Sequence, residues 1–231
     1  MPEQMRLGEP WCVEGGKIAI ADSFSISPQY TEQDLDGRRS DVGDQRWRKQ
    51  LGKGRMLLTG DEAVKVKASP SDPNKGRLAY TVAWANPKFA DISVDILPPG
   101  TGRHQKEKGR GGVIFWQDQN HYLILNHWLD DTFAGSAVSA FFQVDGFEEI
   151  YDAVWSNLGD RIAWGVKHRF RVVCDGLNFM AYVDGEPVLY RSLRDIYPKL
   201  ASLKINRVGI VANWEWGDDT GTEFSQFVGK A

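Results

Sequence analysis

Two cysteines, Cys12 and Cys174, are all that the 231 residues contain. That is too few for a disulfide framework, and leaves a single Cys12–Cys174 bridge as the one pairing open. No cysteine or histidine spacing of the zinc type is present. No apolar run approaches the roughly 20 residues that a membrane helix needs, so no membrane insertion is expected. A formal charge of −3 gives no electrostatic case for nucleic acid or for anionic membranes. Sustained helical periodicity, repeats and low-complexity tracts are missing. So are Ser-His-Asp, Cys-His, Walker and dinucleotide motifs. Residues 1–17 read as a leader or linker without a basic-then-apolar signal pattern. This fits either an intracellular chain or one piece of a larger multidomain protein, and leaves the compartment open. Residues 18–231 are expected to form one domain, a length that buries a sizeable core without staples.

What the chain does have is a succession of short alternating runs separated by turn residues. The clearest is 168–191, HRFRVVCDGLNFMAYVDGEPVLYR, in which Asp175-Gly176 and Asp184-Gly185 separate three runs. Asp-Gly suits a two-residue hairpin turn, because both central residues need positive φ. Two such turns make a three-stranded antiparallel meander. Two-residue turns pair Cys174 with Leu177 and Val183 with Glu186. They place Phe170, Val172, Cys174, Leu177, Phe179, Ala181, Val183, Val188 and Tyr190 on one core face. Arg169, Arg171, Asn178, Met180, Tyr182 and Arg191 occupy the other.

Further strands are expected at 17–24, 55–58, 63–68, 77–84, 90–97, 113–117, 121–129, 137–144, 149–155, 207–214 and 223–228. A short helix or turn is expected at 193–200. The stretch 25–51 reads as a long polar loop, and 98–112 as a charged glycine-rich one. A dozen or so short strands with little helix imply an all-β fold, a β-sandwich or jelly roll of two antiparallel sheets. Nine tryptophans and 24 glycines invite a sugar-stacking surface, with a tryptophan-filled core as the plainer alternative.

The order of these segments resembles the concanavalin A-like lectin/glucanase jelly rolls, in particular the laminin-G-type and thrombospondin C-terminal variety. The motifs are Gly112, Phe115, Gln117 and Tyr122 in one hairpin, the double Asp-Gly meander, and Val208, Gly209, Ile210, Phe224 and Phe227 at the close. Asp22 to Phe24 fits the first strand. The resemblance implies one concave sheet with ligands on its hollow side or rim loops. It implies glycan binding for many members, hydrolase or lyase activity for some, and structural calcium for many. The Glu-x-Asp-x-x-Glu strand of the retaining glucanases is missing; Glu32-Gln33-Asp34 comes nearest and lacks the final Glu.

Candidate ligand residues follow from alternation. On 121–131, Leu123, Leu125, His127 and Leu129 share the core face, and Tyr122, Ile124, Asn126 and Trp128 share the other. Trp128 offers a flat apolar platform and Asn126 a donor and an acceptor, as a sugar requires. His127 is a core histidine or, alternatively, a ligand or catalytic one. Trp214, Glu215 and Trp216 form an aromatic-acid cluster, and Trp155 brackets a rim loop. Asp130, Asp218 and Asp219 are hard oxygen donors suited to calcium, while Asp131 is a sugar-hydroxyl candidate. Three readings stay open. One is a carbohydrate-recognition module whose partner is a glycan or polysaccharide. Another is an enzyme on such a substrate, needing Glu215, Asp131 and His127 together. The third is a structural interaction domain. The first requires a hollow face not filled by its own side chains, and predicts weaker binding in Trp216→Ala.

Overall fold

Runs that alternate apolar and polar residues between tight reversals favour strands, because successive side chains leave opposite faces of the chain. A computed structural model describes residues 16–26, 33–67, 75–100, 108–130, 135–215 and 222–231. The first strands are β1 (Ile18–Asp22), β2 (Gln33–Asp34), β3 (Arg48–Leu51), β4 (Arg55–Thr59) and β5 (Ala63–Lys67). Next come β6 (Lys75–Ala83), β7 (Ala90–Leu97), β8 (Lys108–Asp118), β9 (His121–Asp130), β10 (Ser136–Val144) and β11 (Phe147–Gly159). The meander supplies β12 (His168–Cys174), β13 (Asn178–Val183) and β14 (Glu186–Ser192). A single helical turn, α1 (Leu193–Ile196), and a 3-10 turn (Pro198–Ser202) precede β15 (Arg207–Glu215) and β16 (Glu223–Lys230).

The strands form two antiparallel sheets. A nine-stranded sheet runs β14-β13-β12-β7-β16-β5-β4-β2, with β1 added along β16. A seven-stranded sheet runs β11-β10-β9-β8-β15-β6-β3. Their inner faces meet in one core. Val94, Ile96, Phe170, Val172, Phe179, Phe224 and Phe227 face Tyr80, Phe115, Leu123, Leu125, Phe142 and Ile210. Each such side chain taken out of water contributes about 1.5–3 kcal/mol. Cys174 is a free thiol in this core, and burial pushes its pKa up to about 12. Cys12 lies outside the described residues. Among the described residues no helix is long and apolar enough to cross a membrane.

The meander differs from the sequence reading in register. Cys174 pairs with Phe179 rather than Leu177. The reason is Asp175, whose carboxylate accepts the Leu177 and Asn178 amides and so stabilises a wider turn. Leu177 is left on the surface, 65% exposed. A shift between Ala181 and Tyr182 then pairs Ala181 with Leu189. Leu189 therefore enters the core, while Tyr190 turns outward and donates its hydroxyl to Asn178.

The segment 25–51 is also more structured than expected. Its Trp47 is fully buried, and it ends in β3. The stretch 98–112 ends in strand as well, since β8 starts at Lys108.

Candidate functional site

β9 lies near the middle of the seven-stranded sheet and presents both of its faces as the alternation predicts. Leu123, Leu125 and Leu129 enter the core, and Tyr122, Ile124 and Trp128 lie in a second cluster on the outer face. Cross-strand partners extend that outer face. β8 sets Arg110, Gly112, Ile114 and Trp116 beside Trp128, Asn126, Ile124 and Tyr122. β10 sets Ala137, Ser139, Phe141 and Gln143 on the other side. Beyond them β11 adds Trp155 opposite Ser139. β15 adds Arg207 opposite Trp116, and β6 adds Arg77, Ala79 and Thr81.

Glycine shapes this part of the sheet. Gly111 and Gly112 stand opposite His127 and Asn126. A Cβ on Gly112 would run into the Leu125 carbonyl, and one on Gly111 would lie 2.9 Å from the Phe224 ring. Both strands therefore approach as only glycine permits.

The outer face is fuller than the sequence reading required. Trp116 and Tyr122 stack with centroids 5.3 Å apart and planes 8° off parallel. Trp128 meets Trp155 edge-on at 5.4 Å. The Arg110 guanidinium lies 3.1 Å above the Trp128 ring, so one side of that ring is covered and is no open sugar platform. Arg77 donates to the Tyr122 hydroxyl at 3.2 Å. Solvent reaches the face chiefly at half-buried Trp128, Trp155, Arg77 and Leu51.

Within this packing lie polar atoms with nothing to bind. The Asn126 amide nitrogen and oxygen, the Ser139 hydroxyl and the Trp128 indole N–H are buried and have no hydrogen-bond partner among the described residues. Asn126 and Ser139 are directly paired across β9 and β10. Each buried unsatisfied group costs about 1–3 kcal/mol, so such a concentration calls for an explanation.

His127 points the other way. It is 1% exposed inside the sandwich, 6.5 Å from the Phe170 ring, and both ring nitrogens lack partners among the described residues. Burial, with a smaller contribution from His168, pushes its pKa down to about 3. His127 is thus a neutral core residue that does not share a face with Asn126 and Trp128. His121, at the β8–β9 turn, sits between Asp118 and Asp145, 2.8 Å from each. Hydrogen bonds to Asp145 and Asp118 raise its pKa.

The structure thus brings Tyr122, Asn126, Trp128 and Trp155 onto one face and separates His127 from them. Asp131, Trp216, Asp218 and Asp219 lie outside the described residues. Asp130 ends β9, and Trp214 and Glu215 end β15, at the same end of the sheet as Trp128. The side chains of these three lie outside the described part. Among the described residues no group of three or more His, Cys, Asp or Glu side chains could hold a metal ion, so the described residues do not build a calcium cage. Of the trio Glu215, Asp131 and His127, His127 faces the core, and Asp131 and the Glu215 side chain lie outside the described part. Arg77, Arg110, Trp116, Ser139 and Phe141 were missed. Extending the Asp118–Asn120 hairpin backward by alternation would have set Arg110 opposite Trp128.

No family model and no curated protein sequence matches the chain. Solved structures do match. The CBM2 module of the evolved Dit of Lactobacillus casei BL23 phage J-1 is 10% identical, with a TM-score of 0.58 over 93% of this chain and 95% of that one. The carbohydrate recognition domain of Emp46p, in metal-free form, is 12% identical, with a TM-score of 0.54 over 80% and 87%. A glycosyl hydrolase family 16 protein from Mycobacterium smegmatis is 11% identical, with a TM-score of 0.53 over 92% and 100%. At such identities the likeness concerns fold alone. By its two antiparallel sheets and these neighbours, the chain has an all-β sandwich fold of the concanavalin A-like jelly-roll type.

Proposed function

We propose that the chain is a carbohydrate-recognition module that binds a glycan on the outer face of its seven-stranded sheet. The observation that carries this reading is the set of buried, unpartnered polar atoms on Asn126, Ser139 and Trp128, held among aromatic side chains. A carboxamide, a hydroxyl and an indole N–H together offer donors and acceptors that suit sugar hydroxyls. A ligand that completes their hydrogen bonds recovers a cost the free protein carries. A carbohydrate-binding module and a carbohydrate recognition domain with the same fold support the reading.

The test is calorimetric titration with laminarin, xylan, arabinogalactan and polygalacturonate, on the native chain and on Asn126→Leu. Binding is expected to weaken by about tenfold or more in the variant. Its thermal stability should hold or rise, because Leu removes two unsatisfied polar atoms at nearly constant volume. A variant that binds like the native chain overturns the site, and a native chain that binds none of the four overturns the function.

A further inference from the structure

The lower end of the same face, away from Asn126, carries charge of one sign. β3 pairs Arg48 with Thr81 of β6, and β15 pairs Arg207 with Trp116 of β8. The Arg207 guanidinium is fixed by the Thr81 hydroxyl at 2.7 Å and the Thr81 carbonyl at 2.9 Å, with the Arg46 carbonyl at 3.5 Å. These oxygens are all neutral. Arg48 is exposed, and its guanidinium has no hydrogen-bond or ion-pair partner among the described residues. Partial burial, with a smaller contribution from repulsion by Arg48, lowers the pKa of Arg207. The next carboxylate along β8, Asp118, is held by His121.

Two neighbouring guanidinium groups without a carboxylate between them form an unneutralised pair. Several other described arginines are neutralised. Arg38 is paired with Asp22, Arg169 with Asp95, and Arg171 with Asp91. The Arg48–Arg207 pair is not neutralised, and it adjoins the stacked Trp116–Tyr122 rings on the face assigned to the glycan. A planar guanidinium with its fork of donors matches carboxylate and sulfate oxygens.

We infer that this end of the face recognises an acidic group of the ligand, so that the module's target is an acidic glycan bearing carboxylate or sulfate. The inference rests on the glycan reading above and adds to it the charge of the polymer. A nucleic acid is disfavoured by the chain's net charge of −3 and by an aromatic pair that is stacked on itself rather than open to bases.

Native-gel affinity electrophoresis tests it, with polygalacturonate against its carboxyl-reduced counterpart and dextran sulfate against dextran. The native chain and Arg48→Glu are compared, with a single-stranded oligonucleotide as a further anion. Arg48 lies on an exposed edge strand, and a melting curve checks that Arg48→Glu stays folded. The expected result is preferential retardation by one acidic polymer, which also identifies the group read. Affinity for it should fall by about tenfold or more in Arg48→Glu and decline with added salt. Equal retardation by the neutral counterpart, unchanged in Arg48→Glu, overturns the acidic inference and leaves the glycan reading standing. Retardation by no polymer overturns the acidic inference, and the glycan reading is then decided by laminarin, xylan and arabinogalactan in the calorimetric titration. Equal capture of the oligonucleotide reduces the pair to a general anion patch and overturns the acidic-glycan assignment.

Discussion

Asn126, His127 and Trp128 are consecutive, and each holds buried polar atoms without partners among the described residues. Alternation sends the first and third to the outer face and the second into the core, so their consequences differ. Asn126 and Trp128 lie on the outer side of the sheet, where the proposed glycan would complete their hydrogen bonds. His127 sits among apolar side chains, with a pKa near 3 in the fold against 6.5 for the free group. Between those values the unfolded chain binds the extra proton. Stability therefore falls as pH drops below about 6.5 and keeps falling toward pH 3. At pH 5 the loss from this residue is about 2 kcal/mol. Urea unfolding at pH 7 and pH 5 should show that difference in the native chain and not in His127→Leu. Equal pH slopes in the two proteins would rule out the buried neutral histidine. The faces of these residues were legible from period two alone. The Arg110 guanidinium on Trp128 was not, because a charged glycine-rich stretch gives no sign that a strand begins inside it.

Strand existence was easier to read than strand register. Asp175-Gly176 marks a reversal, but the reach of the Asp175 carboxylate to two following amides widens the turn. The core face survives the shift because the pairing moves by two residues. Around Ala181 and Tyr182 it moves by one, which exchanges Tyr190 for Leu189. The closing strand shows the same physics more sharply. Phe224 and Phe227 are three apart, a spacing that puts side chains on opposite faces of a regular strand. Both are fully buried, because β16 bulges between Ser225 and Val228 with Gln226 at φ 52°. The bulge is held by Arg169, which donates to the Gln226 carbonyl at 2.7 Å. Positive φ costs a residue with a Cβ about 1–2 kcal/mol, and glycine far less. Gln226→Gly should raise stability by up to about 1 kcal/mol, whereas β-branched Gln226→Val should lower it by at least that much. Chemical denaturation decides the point. The reverse order of stabilities would mean the bulge is not retained in solution.

At the scale of the molecule, the sequence showed two layers, but not what fastens the polar segment after β1 to them. Asp22 does so. It is 1% exposed, and its carboxylate accepts the Phe24 amide at 2.9 Å, the Trp47 indole at 2.7 Å and the Arg38 guanidinium at 2.8 Å. Trp47 then lies edge-on to Phe227 at 5.0 Å and against Phe24 at 5.7 Å. One carboxylate thus links the end of β1, the chain before β3 and the bulged closing strand. Little in the sequence marks this beyond Asp22-Ser-Phe, since Arg38 and Trp47 sit in a stretch whose composition reads as solvated loop. A buried ion pair is costly to break from one side, because the remaining charge stays out of water. Asp22→Ala leaves the Trp47 N–H without its acceptor and Arg38 with only the more exposed Asp41 and the Ser25 carbonyl, and should cost about 3–5 kcal/mol in urea unfolding. Asp22→Asn keeps one oxygen, so it accepts from the Phe24 amide or the Trp47 indole but not both and loses the charge, and should fall between. Adding Arg38→Met to Asp22→Asn removes a cation that has lost its buried counter-charge, so the double variant should be more stable than Asp22→Asn alone. A loss below about 1 kcal/mol in Asp22→Ala, within the range of an exposed pair, would place the fastening elsewhere, in the packing of Trp47 against Phe24 and Phe227. Trp47→Ala would then be the costlier change.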